Sequence, residues 1–170
     1  MNWQAFWVSI TAALTATGIV AVLGISLGLL VAKKRFPGRG LLQLVATLPV
    51  ALPPTVMGYF LLTQLGGYGP IRSLSEAIFG RTLVFTWTGV VIAQAVEAFP
   101  YCFRASRVAI GEVDRRLESM CKTVGLSNIA VVFIATLPLA SRGILAGIAM
   151  AFGRAVGDFG ATLAVAGHLP

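Results

Sequence analysis

Few residues in this 170-residue chain could do chemistry, and their placement narrows what that chemistry is. Glu97 falls inside a long apolar stretch, close to Pro100. An ionisable side chain at such a depth in a membrane is by default a functional-site hypothesis. It also stands only about two turns from Arg104, so a structural ion pair or a snorkelling carboxylate accounts for it as well. Arg154 and Asp158 are spaced i, i+4 and can pair on a helix, a local salt bridge at a helix end being the plainer reading. The densest charge lies between Glu112 and Lys122, with three acids and three bases. Cys102 and Cys121 form no CxxC pair and share no metal-ligand spacing with His168, the single histidine. One histidine excludes a multi-His metal site, and there is no glycine loop of the kind that cradles phosphates. The pattern is not that of an enzyme, and it calls for no cofactor and no metal.

The elements that must position these groups are membrane elements. The chain is 57% hydrophobic and only 11% charged, against about a quarter charged in soluble domains. No charge occurs from Met1 to Ala32, or from Leu41 to Ile71. Each run exceeds the roughly 20 residues that cross a bilayer as a helix. A cleaved leader would carry its cations before a short apolar core; here they follow a long one, so the first run reads as a retained helix. Spans are expected at about 6–32, 41–65, 83–103 and 138–156, within one transmembrane domain over 1–170. Trp3, Phe6 and Trp7 form an interfacial belt. Gly24 and Gly28 have the small-xxx-small spacing of a packing face.

The net charge of +7 is sorted along the chain. Lys33, Lys34, Arg35 and Arg39 follow the first span, and Arg104, Arg107, Arg115, Arg116 and Lys122 follow the third. The positive-inside rule then puts 33–40 and 104–128 in the cytoplasm and the N-terminus outside. With no aromatic-interleaved basic motif, this basicity sets topology and implies no nucleic-acid partner.

Two stretches interrupt the apolar pattern. In "TLPVALPPTVMGYFLL", Pro49, Pro53 and Pro54 each remove a helix donor. The freed carbonyls need protein neighbours or a watery cavity, so this is either a kinked structural helix or a break lining a pathway. Toward the other end, Gly153, Gly157 and Gly160 would let the backbone bend beside Arg154 and Asp158. Candidate pathway-lining residues are therefore Pro49, Pro53, Pro54, Gly157, Asp158 and Gly160.

The charged island reads as a surface helix. Val113, Leu117, Met120, Cys121 and Val124 make a stripe of 3.6-residue period. Asp114 suits the N-cap and Gly125 the C′ position. Ser127 and Asn128 offer caps for a second segment, Ile129 to Thr136, which Pro138 terminates or redirects. Such a helix either lies on lipid headgroups or docks its apolar stripe in a groove of a cytoplasmic partner.

The stretches "RFPGRGLLQLVATLPVALPPTVMGYFLL", "VFTWTGVVIAQAVEAFP", "EVDRRLESMCKTVGLS" and "LPLASRGILAGIAMAFGRAVGDFGATLAVAGHLP" resemble the permease subunits of bacterial binding-protein-dependent ABC importers, in their molybdate branch. Tungstate and sulfate permeases are similar too. The family's cytoplasmic loop reads Glu-Ala-Ala, three residues, Gly, nine residues, Ile-x-Leu-Pro. Gly125 and Leu137-Pro138 stand at that separation, while Ser119, Met120 and Cys121 occupy the Glu-Ala-Ala positions and Ala135 the Ile position. Glu118, beside the missing glutamate, offers a partial replacement. The resemblance implies an all-α, type I (molybdate/methionine-like) integral membrane bundle of about four spans in this chain, with a coupling segment over 111–128. It implies that Asp114, Leu117, Glu118, Ser119, Met120, Cys121, Val124, Gly125, Leu137 and Pro138 meet a cytoplasmic ATPase dimer. A second permease copy, an external oxyanion-binding protein and an inner-membrane bilayer complete the implied partners. Such permeases continue through a further span, so the chain reads as shortened at its C-terminus. The reading from another class is a secondary transporter or channel that works without ATPases.

Overall fold

The computed structural model describes residues 3–66 and 86–157, and every described element is helical. Helix α1 (Trp3–Lys33) is the uncharged N-terminal run, closed by its first cation, Lys33, in the last turn. A cation there complements the negative end of the helix dipole. After a turn at Pro37 and Gly38 come α2 (Arg39–Ala51) and α3 (Pro54–Gly66). Helix α4 (Trp87–Gly111) starts from Thr86, whose hydroxyl accepts from the Gly89 N–H at 3.2 Å. The short helices α5 (Arg115–Thr123) and α6 (Asn128–Val131) follow. A π-helical turn, Val132–Thr136, then leads into α7 (Leu137–Val156).

The stretch expected to span at 41–65 is broken rather than kinked: α2 and α3 meet at 112°. Leu52, before the proline pair, is extended (φ −95°, ψ 140°), as residues preceding proline are pushed to be. Pro54 then takes the first position of α3, where a missing donor costs nothing. The Pro53 carbonyl accepts the first bond of that helix, from the Met57 N–H at 3.0 Å. Pro49 stays inside α2.

Pro138 neither terminates nor redirects the chain. It sits in the first turn of α7, and the stretch Asn128–Val156 continues as one apolar unit of 29 residues. The π turn makes this possible: the Leu137 N–H reaches back five residues to the Val132 carbonyl. A widened turn just before a proline relieves the ring's clash with the preceding carbonyls. The fourth expected span therefore starts well before Pro138.

Helix α4 is the centre of the packing. Gly24 of α1 faces Cys102 and Phe103, and Gly28 faces Ser106 and Arg107, so α1 and α4 run parallel. Gly143 of α7 faces Ala109 and Gly147 faces Ala105 and Cys102, so α7 runs antiparallel to both. A β-carbon on Gly143 or Gly147 would come within 2.5 or 2.7 Å of an alanine methyl. The Gly24/Gly28 packing face expected from spacing is thus matched by a second one, Gly143/Gly147, on the other side of α4. Ala13, Val20, Ala98, Cys102, Ala151 and Ala155 fill the junction of the three helices.

Among the described residues, two helices are long and apolar enough to cross a membrane, Trp7–Lys33 and Asn128–Val156, or three spans if the bent pair counts as one. Helix α4 does not join that set, although its 25 residues are enough to span, because it carries Gln94, Glu97, Arg104 and Arg107. It also runs on to Gly111, past the expected limit of 103. Flanked by α1 and α7, it has less need of an apolar surface than a lipid-facing helix.

Candidate functional site

Local chemistry determines α5. Asp114 caps it through a bond from the Arg116 N–H to its carboxylate at 2.8 Å. At the other end Gly125 takes φ +91°, a left-handed conformation that costs other residues steric strain. Its N–H reaches the Lys122 carbonyl at 3.0 Å, and the Leu126 N–H reaches Cys121 at 3.2 Å, the paired bonds of a Schellman ending. Both expected caps are in place, as is the Ser127 cap of α6, bonded from the Ala130 N–H at 3.2 Å.

The apolar stripe divides in two. Val113 precedes the helix and is buried with Ile110, Ala140 and Ile144, anchoring the segment to α4 and α7. Leu117, Met120 and Val124 are exposed, at 45%, 64% and 83%. Cys121 is intermediate, and Ser119 is exposed with its hydroxyl donating to the Arg115 carbonyl at 2.9 Å. Leu137 is partly covered, while Pro138 is exposed.

Glu118 faces the other way. Its carboxylate is bonded by Lys33 of α1 and, at 2.6 Å, by the hydroxyl of Thr136, the last residue of the π turn, which is fully buried. Burial pushes this carboxyl up. The bonds from Lys33 and Thr136, with the charges of Lys33 and Lys122, outweigh that and hold it below its ordinary value. The carboxylate therefore faces the bundle, away from the exposed side of α5 that carries Met120 and Val124. It ties α5 to the end of α1 through Lys33 and to the π turn ahead of α7 through Thr136. Spacing along the chain gave no sign of this, because Lys33 is remote in sequence.

The second cluster lies within the bundle. Glu97 pairs with Arg154 of α7 rather than with Arg104, which is exposed two turns along α4. The antiparallel packing of α7 brings Arg154 beside Glu97, whereas two turns of one helix separate side chains by about 10 Å. The Glu97 side chain is only 2% exposed and that of Arg154 24%. Gln94, one turn away, is also buried. Gly157 closes α7, its N–H bonded to the Gly153 carbonyl at 3.0 Å. Asp158, the expected partner of Arg154, and Gly160 lie outside the described residues.

The family described as "Binding-protein-dependent transport system inner membrane component" matches residues 24–169. This chain belongs to that family. It is similar to the molybdenum transport system permease protein ModB of Escherichia coli strain K12, 40% identical over 99% of this chain and 74% of the relative. The molybdenum permease protein ModB of Haemophilus influenzae is 42% identical over 83% of the chain and 62% of its own length. The sulfate transport system permease protein CysT of Salmonella typhimurium is 29% identical over 99% and 65%. As a transport component the chain is not an enzyme. Its all-α, membrane-type permease fold carries both the exposed α5 and the Glu97–Arg154 pair.

Proposed function

We propose that this chain is the transmembrane permease of an ATP-driven importer of a tetrahedral oxyanion, molybdate first. The observation that carries the reading is α5: a doubly capped helix with Leu117, Met120 and Val124 turned outward and Glu118 tied inward to Lys33 and Thr136. A rigid helix with an exposed apolar face suits a groove in a partner, and its inward tether passes displacement to α1 and α7. The 40% identity to a molybdenum permease supports the substrate.

In this reading residues 1–170 form one permease domain in a bacterial inner membrane, with the N-terminus outside and 33–40 and 104–128 cytoplasmic. Two copies form the pore, two ATPase subunits engage the segment 111–128, and an external binding protein delivers the anion. Asp114 and Gly125 shape the coupling helix, Leu117, Met120, Cys121 and Val124 seat it, and Leu137 and Pro138 continue it into the span. Met120 stands where the family has a small residue, so the partner groove must leave room for a long, flexible side chain. Four spans result if α4 and the bent α2–α3 unit both cross. The break at Leu52–Pro53 and the end of α7 at Gly157 then line the pathway, with Asp158 and Gly160 beyond.

Sulfate is the second reading, favoured by the similarity to a sulfate permease. The test is ATP-driven uptake by the full-length permease, reconstituted with its ATPase and binding protein, offered labelled molybdate, tungstate and sulfate in turn. Uptake of molybdate at the lowest concentration supports the assignment; preference for sulfate replaces it; uptake without ATP removes the importer class. Labelling a cysteine at Thr123, with Cys102 and Cys121 removed, tests orientation, and reaction from the outside would reverse it.

A further inference from the structure

A groove of about 850 Å³ opens between α1 and the stretch that runs from α5 to the start of α7. Val22, Ile25, Leu29 and Lys33 line it from α1, at spacings of three or four residues that keep them on one helix face. This wall runs about 16 Å along the helix, at 1.5 Å per residue, and ends in Lys33 and Lys34. Ile129, Phe133 and Leu137 line the groove from the other side. Lys122, one turn from Glu118 on α5, joins the two lysines of α1. The groove is therefore apolar along α1 and basic at one rim. Its walls are uncovered, Val22 and Phe133 each being 66% exposed.

The rim carries three lysines against one acid, Glu118. That acid is already bonded by Lys33 and by the Thr136 hydroxyl. Lys34 and Lys122 are exposed and form no salt bridge among the described residues, so the rim keeps an excess of positive charge. The apolar body of the groove gives water little to bond. A second copy of this chain would fill it poorly. Of the chain's six acids, Glu97 and Glu118 are in ion pairs and Asp114 caps α5. A helix laid over Lys34 without an acid would bury an unpaired cation, which is costly.

We propose that this groove holds an anionic phospholipid, with one acyl chain along Val22, Ile25 and Leu29 and the phosphate between Lys34 and Lys122. Lysines at the end of a membrane helix mark the headgroup level, their stems in the apolar region and their ammonium groups at the interface. Basic pockets between membrane helices hold anionic headgroups by the same chemistry. The phosphodiester supplies the negative charge that the chain's own acids do not. Bound there, the lipid straps α5 to α1 beside the Glu118 tether. This goes beyond the importer reading and stands on the membrane placement of these helices alone.

The test is native mass spectrometry of the full-length permease in detergent micelles carrying equal amounts of phosphatidylglycerol and phosphatidylcholine of matched chain length. Phosphatidylglycerol is expected to be retained in preference by about ten-fold or more, from two lysines near the surface. Lys34→Gln/Lys122→Gln should abolish that preference. Ser26→Trp, from an exposed position on the lining, fills the apolar part and should reduce retention of both lipids. Arg104→Gln/Arg116→Gln removes the same charge from exposed positions outside the groove and should keep the preference. Equal retention of the two lipids by the parent, or equal loss in the two double variants, overturns the proposal. Retention of neither lipid also overturns it, as the result expected where protein covers the groove. Unchanged retention by Ser26→Trp, with inorganic phosphate displacing the lipid, would make the lysines a site for a free anion and overturn it too. Failure of ATP-driven uptake removes the importer reading and leaves lipid retention untouched.

Discussion

The Thr136 hydroxyl donates to Glu118 across 2.6 Å, joining the π turn ahead of α7 to the surface helix beside it. Lys33 bonds the same carboxylate from the end of α1. One acid therefore gathers three chain segments at the basic end of the bundle. In the proposed coupling, a push on α5 would reach the π turn, where the backbone ladder is already irregular.

Removing that bond should loosen α5 without unfolding the bundle. Thr136→Val keeps shape and loses the donor, at a cost of about 1.5–3 kcal/mol for a bond to a charged group. Amide exchange over Arg115–Thr123 should quicken by about ten-fold or more, with α1 and α4 unchanged. Equal quickening in α4 would mean that Thr136 holds the whole bundle.

The Glu118 tether has a definite pH dependence. Its folded pKa is lowered, so its contribution is present above the ordinary carboxylate value and is lost as pH falls through the lower folded value. Exchange protection of α5 should hold steady from neutral pH down to about pH 5 and decline only below about pH 4. Glu118→Gln should remove the acid-dependent step; its persistence in that variant would assign the step elsewhere.

Sequence made the local features of this site legible and left the long-range ones hidden. Asp114, Ser127 and Gly125 act within one turn of their own positions, and each caps where its residue type says it should. The prolines left a kinked helix and a break equally open, because the 112° angle depends on Leu52 turning extended. Pro138 misled because the turn before it can widen, an option composition does not reveal. Glu97 was visible as a buried acid, but its partner Arg154 is brought by the antiparallel approach of α7. The same approach explains why Gly143 and Gly147, ordinary in an alanine-rich span, have no room for a side chain.

That crowding yields a stability prediction. Glycine to alanine inside a helix ordinarily gains about 1 kcal/mol. Gly147→Ala would instead place a methyl 2.7 Å from that of Ala105, and overpacking of this kind costs about 1–3 kcal/mol. Thermal unfolding in detergent should show Gly147→Ala below the parent and Gly18→Ala, where nothing lies within 4 Å, at or above it. The reverse order would contradict the packing of α4 on α7.

Gly125 is constrained by backbone rather than space. A side chain there meets nothing within 4 Å, but φ is +91°. Gly125→Ala should cost about 1 kcal/mol and fray α5 from its C-terminal end, seen as faster exchange at Gly125 and Leu126, whose N–H groups close the helix. Unchanged exchange at those two amides would remove the Schellman ending from the account.

The central claim is that the exposed face of α5 is where an ATPase seats, and co-purification with the full-length permease measures it directly. Leu117→Asp puts a charge at the middle of that face, where loss of a buried anchor typically costs 2 kcal/mol or more. Bound ATPase should fall by more than about ten-fold while the permease still inserts and purifies. Retention of the ATPase at the parent level by both Leu117→Asp and Gly125→Asp would contradict the account, leaving α5 as a helix that merely rests on lipid.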